Sequence, residues 1–217
     1  MMLNILLQVD AKPESVWSLL SKGGPLMIPL FILFALVIYF FIERWLVIKK
    51  VKKIDDNFMN IIRDHITNGN ISAARSVTKN TNNPISNIID KGIQRIGKPI
   101  ESIEKSMENV GKLEVYNLEK NLNAISVISR IAPLFGFVGT IIGLVMLLKE
   151  FATVSNPSIS QIADAMYVKL ITSATGLIIG MLAYLGHSYL DNQINRLSNK
   201  MESASSEFLD ILQQPTK

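Results

Sequence analysis

The sequence contains no cysteine. Disulfides, thiolate metal sites and a cysteine nucleophile are therefore excluded, although the absence names no compartment. Histidine is nearly as scarce: His65 and His187 are the two, far apart in sequence and in different settings, and lone histidines are more often structural than catalytic. No glycine-rich phosphate loop, no GxSxG and no metal-spaced cluster occurs, so the usual marks of an enzyme are missing and no cofactor or metal is expected. Charge is also short, at 18% of residues against about 25% in soluble domains.

That shortage is local. Asp, Glu, Lys and Arg are absent from three runs, Gly23–Ile42, Ile131–Leu148 and Leu170–Leu190, of 20, 18 and 21 residues. About 20 residues at ~1.5 Å rise cross a ~30 Å hydrocarbon core. A backbone in lipid must satisfy its own hydrogen bonds, so each run is predicted to be a helix. Buried helices of a large soluble protein would also be apolar, but three such lengths in 217 residues weigh against that reading. The expected fold class is an all-α membrane protein with three transmembrane helices.

A net charge of +4 would suit nucleic acid, but its distribution points elsewhere, because 15 of the 22 Lys and Arg lie from Arg44 to Arg130. Only Lys12 and Lys22 precede the first run, and only Lys149 and Lys169 separate the second from the third. By the positive-inside rule the amino terminus is outside and the large loop cytoplasmic. Three crossings leave the carboxyl terminus inside, with Arg196 and Lys200. Membrane lipid is the expected surroundings and nucleic acid is not an expected partner. The first apolar run begins after residue 22, is too long for a typical signal h-region and lacks a small-residue cleavage site, so it reads as a retained span.

The organisation follows. Residues 1–22 form a periplasmic amphipathic segment, with a short helix expected over 13–22; 23–45 is the first span, ending on Glu43, Arg44 and Trp45 at the inner interface. Residues 46–125 are a cytoplasmic helical region, punctuated by Asn68-Gly69-Asn70, Thr81-Asn82-Asn83-Pro84 and Gly97-Lys98-Pro99. From Ile100 one long helix is expected to run through Met107, Val110, Leu118 and Leu122 into the second span, 126–150. A short periplasmic loop, 151–167, leads to the third span, 168–190. A cytoplasmic helix, 191–217, continues it through a heptad-like seam of Leu190, Ile194, Leu197, Met201, Phe208 and Leu212. The second and third spans are thus expected to extend as long helices into the cytoplasm.

The spans carry a pattern of their own. Gly136, Thr140, Gly143 and Leu147 recur at four, three and four, hence on one helical face. In the third span Lys169, Ser173, Gly176, Gly180, Ala183 and His187 make a stripe of small and polar residues, with Thr172 and Thr175 on its shoulders. Two readings stand side by side: small residues that let helices pack closely, or a polar lining for an ion or a partner helix. None of the three charge-free runs holds a carboxylate, whereas a proton route normally needs a titratable acid within the membrane. An ion pathway here would have to borrow its acid from another polypeptide. The alternatives are a non-conducting membrane scaffold that organises cytoplasmic partners, and a self-sufficient transporter, which the missing acids disfavour.

Three segments then resemble the ExbB/TolQ/MotA proton-channel family, closest to its ExbB and TolQ branches. They are Gly23-Gly24-Pro25-Leu26-Met27-Ile28-Pro29-Leu30 with Ile42-Glu43-Arg44, Ala132-Pro133-Leu134-Phe135-Gly136-Phe137-Val138-Gly139-Thr140-Ile141-Ile142-Gly143, and Leu170-Ile171-Thr172-Ser173-Ala174-Thr175-Gly176-Leu177. Their order and spacing are right, and the resemblance covers nearly the whole chain. The resemblance implies the cage subunit of a proton-driven motor in the bacterial inner membrane. It implies a homopentamer around two copies of an ExbD- or TolR-like single-span partner, whose membrane aspartate carries the proton. The assembly would energise TonB-type uptake, through a TonB-like protein, or Tol-type envelope maintenance. Thr140 would be the second-span threonine of the proton path, and Ser173 takes the place of the usual third-span threonine. Thr172, Gly136, Gly143, Gly176 and Gly180 would line the same pathway, and Pro133 would bend or loosen the second helix. Val168, beside Lys169, departs from the glutamate that relatives often place there.

Overall fold

The structure, a computed structural model, describes residues 23–51, 57–81, 83–153 and 159–213. The amphipathic helix expected over 13–22 lies outside them. About 90% of the described residues are helical, and no strand occurs among them. In chain order the helices are α1 (Met27–Val51), α2 (Phe58–Thr67), α3 (Ile71–Asn80), α4 (Pro84–Ile93), α5 (Ile100–Glu119), α6 (Leu122–Thr153) and α7 (Ile159–Gln213). Three of them, α1, α6 and α7, are long and apolar enough to cross a membrane. The all-α, three-span fold class is therefore found, with α7 running 55 residues without interruption.

The chain divides into two compact units, Met1–Ile38 with Ala124–Leu185 and Tyr39–Asn123 with Gly186–Lys217. In the first, large apolar side chains point away from the protein. Leu134, Phe137, Val145, Leu148, Leu177, Met181 and Leu185 are all exposed, and surface of that kind suits lipid rather than water. Where α6 meets α7 its interior holds small groups, among them Gly136, Ala132, Thr172 and Ala183, beside larger buried side chains such as Leu30, Ile125 and Ile179.

The second unit is ordered the other way. Phe58, Ile62, Ile88, Ile89, Ile93, Ile103 and Met107 form a buried core with the later part of α7. Five of the six seam residues foreseen there, Leu190, Ile194, Leu197, Met201 and Phe208, are buried. Leu212 is half-exposed and Ile211 takes its place. Phe208 is fully buried against α4, where a Cβ on Gly92 would lie 2.5 Å from its ring and 2.7 Å from Met107 Sδ. Glycine at position 92 is what lets the ring sit there.

The turns follow local chemistry. Gly69 takes φ 70° between α2 and α3, and Gly97 takes φ 91° before α5, both in the left-handed region that glycine enters at no steric cost. Asn83 and Ser86 cap α4 reciprocally, side chain to backbone, with Pro84 in the first turn. One expectation fails. The helix predicted to run unbroken from Ile100 is interrupted: Lys120 is extended (ψ 134°) and Asn121 is left-handed (φ 65°), so α5 and α6 are separate helices.

Phe208→Ala should remove about 3–5 kcal/mol from the second unit, the usual cost of emptying a buried aromatic site. Thermal unfolding of the detergent-solubilised protein, followed by circular dichroism, should show the lowered transition. An unchanged transition would contradict the packing described.

Candidate functional site

The candidate site is the seam between α6 and α7, built from the small-residue faces of both helices. Its pairs run antiparallel: Ala132 with Gly176, Gly136 with Ser173, Gly139 with Thr172 and Gly143 with Lys169. The approach is close enough to involve backbone. A Cβ on Gly176 would sit 2.6 Å from the carbonyl oxygen of Ala132, and one on Gly136 would sit 3.0 Å from Ser173 Cα. Real Cβ atoms do not tolerate the first distance, so glycine there is a steric requirement. Gly143 is filled differently, because the aliphatic stem of Lys169 lies across it.

Pro133 fits the same logic. It sits inside α6, which continues through it. Lacking an N–H, it leaves the carbonyl of Ser129, four residues earlier, without its helical donor. That oxygen faces Gly180, where a Cβ would be 2.9 Å away, and the Pro133 ring packs on the same glycine at 2.5–2.6 Å from that position. Proline and glycine are therefore partners across the seam.

The hydroxyls divide by what they are already bonded to. Thr172, placed on a shoulder of the stripe by sequence spacing, is instead one of the most buried side chains. It donates to the Gly23 carbonyl at 2.9 Å and so ties α7 to the entry of α1. Thr140 is half-buried and donates to the Phe137 carbonyl, 2.6 Å away on its own helix. Thr175 does the same to Ile171 at 2.8 Å. Ser173 is half-buried and its hydroxyl has no partner among the described residues. A hydroxyl has one donor and two acceptor sites. Thr140 can thus accept, and Ser173 can both accept and donate, as a relay or a cation ligand requires. The structure brings Gly136, Gly143, Gly176 and Gly180 together in the seam as packing surfaces, with Thr140 and Ser173 on the same two helices.

Glu43 and Arg44, expected at a membrane–water boundary, have a definite structural task. Arg44 is only 3% exposed and donates to the carbonyls of Asn117 (2.8 Å) and Leu118 (3.2 Å) at the end of α5. Glu43 pairs with it at 3.1 Å and accepts from Asn121 Nδ2 at 3.4 Å. Sequence reasoning missed this tie and the burial of Thr172. The only available signal was the residue type: an arginine, with five donors in a rigid fork, where lysines follow.

Comparison with known proteins points the same way. Residues 80–203 match the family described as the MotA/TolQ/ExbB proton channel family. The chain is similar to an ExbB homolog, described as a biopolymer transport protein, of Methanothermobacter thermautotrophicus: 24% identity over 192 residues, 87% of this chain and 67% of that one. It is also similar to the biopolymer transport protein exbB1 of Vibrio cholerae: 31% identity over 88 residues, 40% of this chain and 39% of that one.

Gly176→Val should lower stability by about 2 kcal/mol or more, as overpacking of a tight contact does. Gly111→Ala is the control, since a Cβ there would meet only Ile88 at an ordinary 3.6 Å; it should be neutral or gain up to ~1 kcal/mol of helix propensity. Thermal-shift measurement of both variants in one detergent separates the cases, and equal effects would remove the steric argument.

Proposed function

Since this chain belongs to the MotA/TolQ/ExbB proton channel family, we propose that it is the cage subunit of a proton-motive-force-driven motor in a bacterial inner membrane. Family and relatives give it a proton-channel, motor-type role in a multi-pass membrane protein. In the scheme, five copies surround a single-span ExbD- or TolR-like partner whose membrane aspartate takes and releases the proton. Its amino terminus is periplasmic, and residues 46–125 and 191–217 are cytoplasmic. The motion of the partner within the cage is passed to a TonB-like protein or to a Tol-type envelope system.

The observation that carries this reading is a mismatch inside the membrane. The seam offers hydroxyls in the charge-free stretches of α6 and α7, yet those stretches contain no carboxylate. Hydroxyls can pass a proton along or coordinate it, but their intrinsic pKa is too high to hold one. The titrating group must then come from another chain. One charge moved through 100 mV releases about 2.3 kcal/mol, so a few protons per cycle suffice for a modest rearrangement of a partner helix. Ser173, with its unspent hydroxyl, and Thr140, with free acceptor positions, are proposed as the pathway residues. Thr172 and the seam glycines hold the pathway in shape.

Affinity purification through a tag on this chain should bring down a one-span protein with a lone membrane aspartate. In proteoliposomes of that complex, Ser173→Ala and Thr140→Ala should each reduce proton flux about tenfold or more, with assembly intact. Thr175→Ala, at a shoulder position off the small-residue stripe, should not. Thr172→Val should instead cost about 1 kcal/mol of stability for the lost buried hydrogen bond. The pathway assignment falls if Ser173→Ala and Thr140→Ala conduct normally, and the partnered scheme falls if the chain alone performs gradient-coupled work.

A further inference from the structure

The break between α5 and α6 is not written into the local sequence. From Lys112 to Ala132 there is neither glycine nor proline. The apolar positions keep helical phase across the joint, and Leu118, Leu122 and Ile125, spaced four and three apart, are all buried. Lys120 and Leu122 are good helix formers. Asn121 is the one described non-glycine residue at positive φ, a conformation asparagine tolerates better than most but that still costs more than the helical one.

What holds the break comes from 73 residues away in sequence. Arg44 Nη1 donates to the carbonyls of Asn117 and Leu118. In an unbroken helix, N–H to C=O bonding at i to i−4 would give those same two carbonyls to the N–H groups of Asn121 and Leu122. Arg44 thus occupies the acceptors that continuity requires. Glu43 contributes from the same end of α1, binding Arg44 Nη2 through both carboxylate oxygens and accepting from Asn121 Nδ2. The arrangement is not fully satisfied, because Arg44 Nε is buried without a partner among the described residues. An orphaned buried donor of this kind raises the free energy of the state that contains it.

We infer that the α5–α6 joint is a two-state element: a broken form latched by Arg44 and Glu43, and a continuous helix formed when the latch withdraws. The two states use the Asn117 and Leu118 carbonyls for different donors, the Arg44 guanidinium in one and backbone N–H groups in the other, so withdrawing the arginine shifts the balance between them. Movement of the end of α1 thereby becomes a change of helix continuity at residues 119–122. The inference rests on the joint itself and stands whether or not the proposed proton pathway is right.

The absence of native cysteine makes the test direct, since spin labels can be placed at Glu104→Cys and Asn123→Cys in the full chain without removing any other thiol. Both positions are exposed. Nineteen residues of unbroken helix would separate the backbones by about 28 Å, and the latched form should show a different, single distance by electron–electron double resonance. Arg44→Met should add a population near 28 Å. Asn121→Ala, which penalises the left-handed residue while keeping the arginine, should do the same. Asn121→Gly, placed on the Arg44→Met background, should shrink that population again. The idea is overturned if Asn121→Ala and Arg44→Met both retain the original single distance, or if Arg44→Met only broadens the distribution while Asn121→Ala leaves it unchanged. In either case the arginine is a structural tie and the joint has one state.

Discussion

The contact on which the membrane part of this chain depends is the approach of α6 and α7 to within backbone distance. Two helices in lipid gain little by hiding apolar side chains from each other, because the lipid tails are equally apolar. They gain by packing, and packing at this distance is available only where side chains are missing. Gly136, Gly176 and Gly180 supply that, each facing a backbone atom or a proline ring across the seam. The rest follows from it. Thr172 is enclosed because its neighbour Gly139 lets α6 come near. Lys169 can lie along α6 because Gly143 leaves a channel for its stem. The freed Ser129 carbonyl can be accommodated because Gly180 has nothing to clash with it.

This packing also separates two roles that spacing alone ran together. Residues four and three apart share a face, and both a packed seam and a polar lining produce that pattern. The structure distinguishes them by what each polar atom already does. Thr172 has given its proton to Gly23 and lies buried; it is a fastening. Ser173, its immediate neighbour, has given its proton to no group among the described residues. One residue of helical rotation, about 100°, thus divides a structural hydroxyl from one with chemistry to offer.

Much of the fold was legible because it rests on strong, local signals. The gaps in charge located α1, α6 and α7; Gly69, Gly97 and the Asn83-Pro84 pair located the turns; and the heptad-like spacing from Leu190 located the buried stripe of α7. What escaped was non-local. The interruption at Lys120 and Asn121 is enforced by Arg44 from another helix, against a local pattern that favours continuity. The burial of Thr172 depends on the Gly23 carbonyl, 149 residues earlier. Neither could be found by scanning a window, since periodicity reports which face is apolar but not which distant group will compete for a carbonyl.

Helix α7 shows how one chain is written for two solvents. Along its first half Leu177, Met181 and Leu185 are exposed while Gly176, Gly180 and Ala183 are inside. Beyond Leu190 the order reverses: Leu190, Ile194, Leu197 and Met201 are buried, and Asn195, Arg196, Asn199 and Lys200 are exposed. In water a bare leucine surface is unfavourable by about 25 cal/mol per Å², whereas in lipid it costs nothing. In lipid an exposed arginine is prohibitive, whereas in water it is solvated. The inversion between Leu185 and Leu190 is therefore where the helix changes solvent, and it is fixed by the same requirement on both sides: large apolar groups go wherever water is not. A single unbroken helix meets that requirement twice by exchanging which residue sizes face inward.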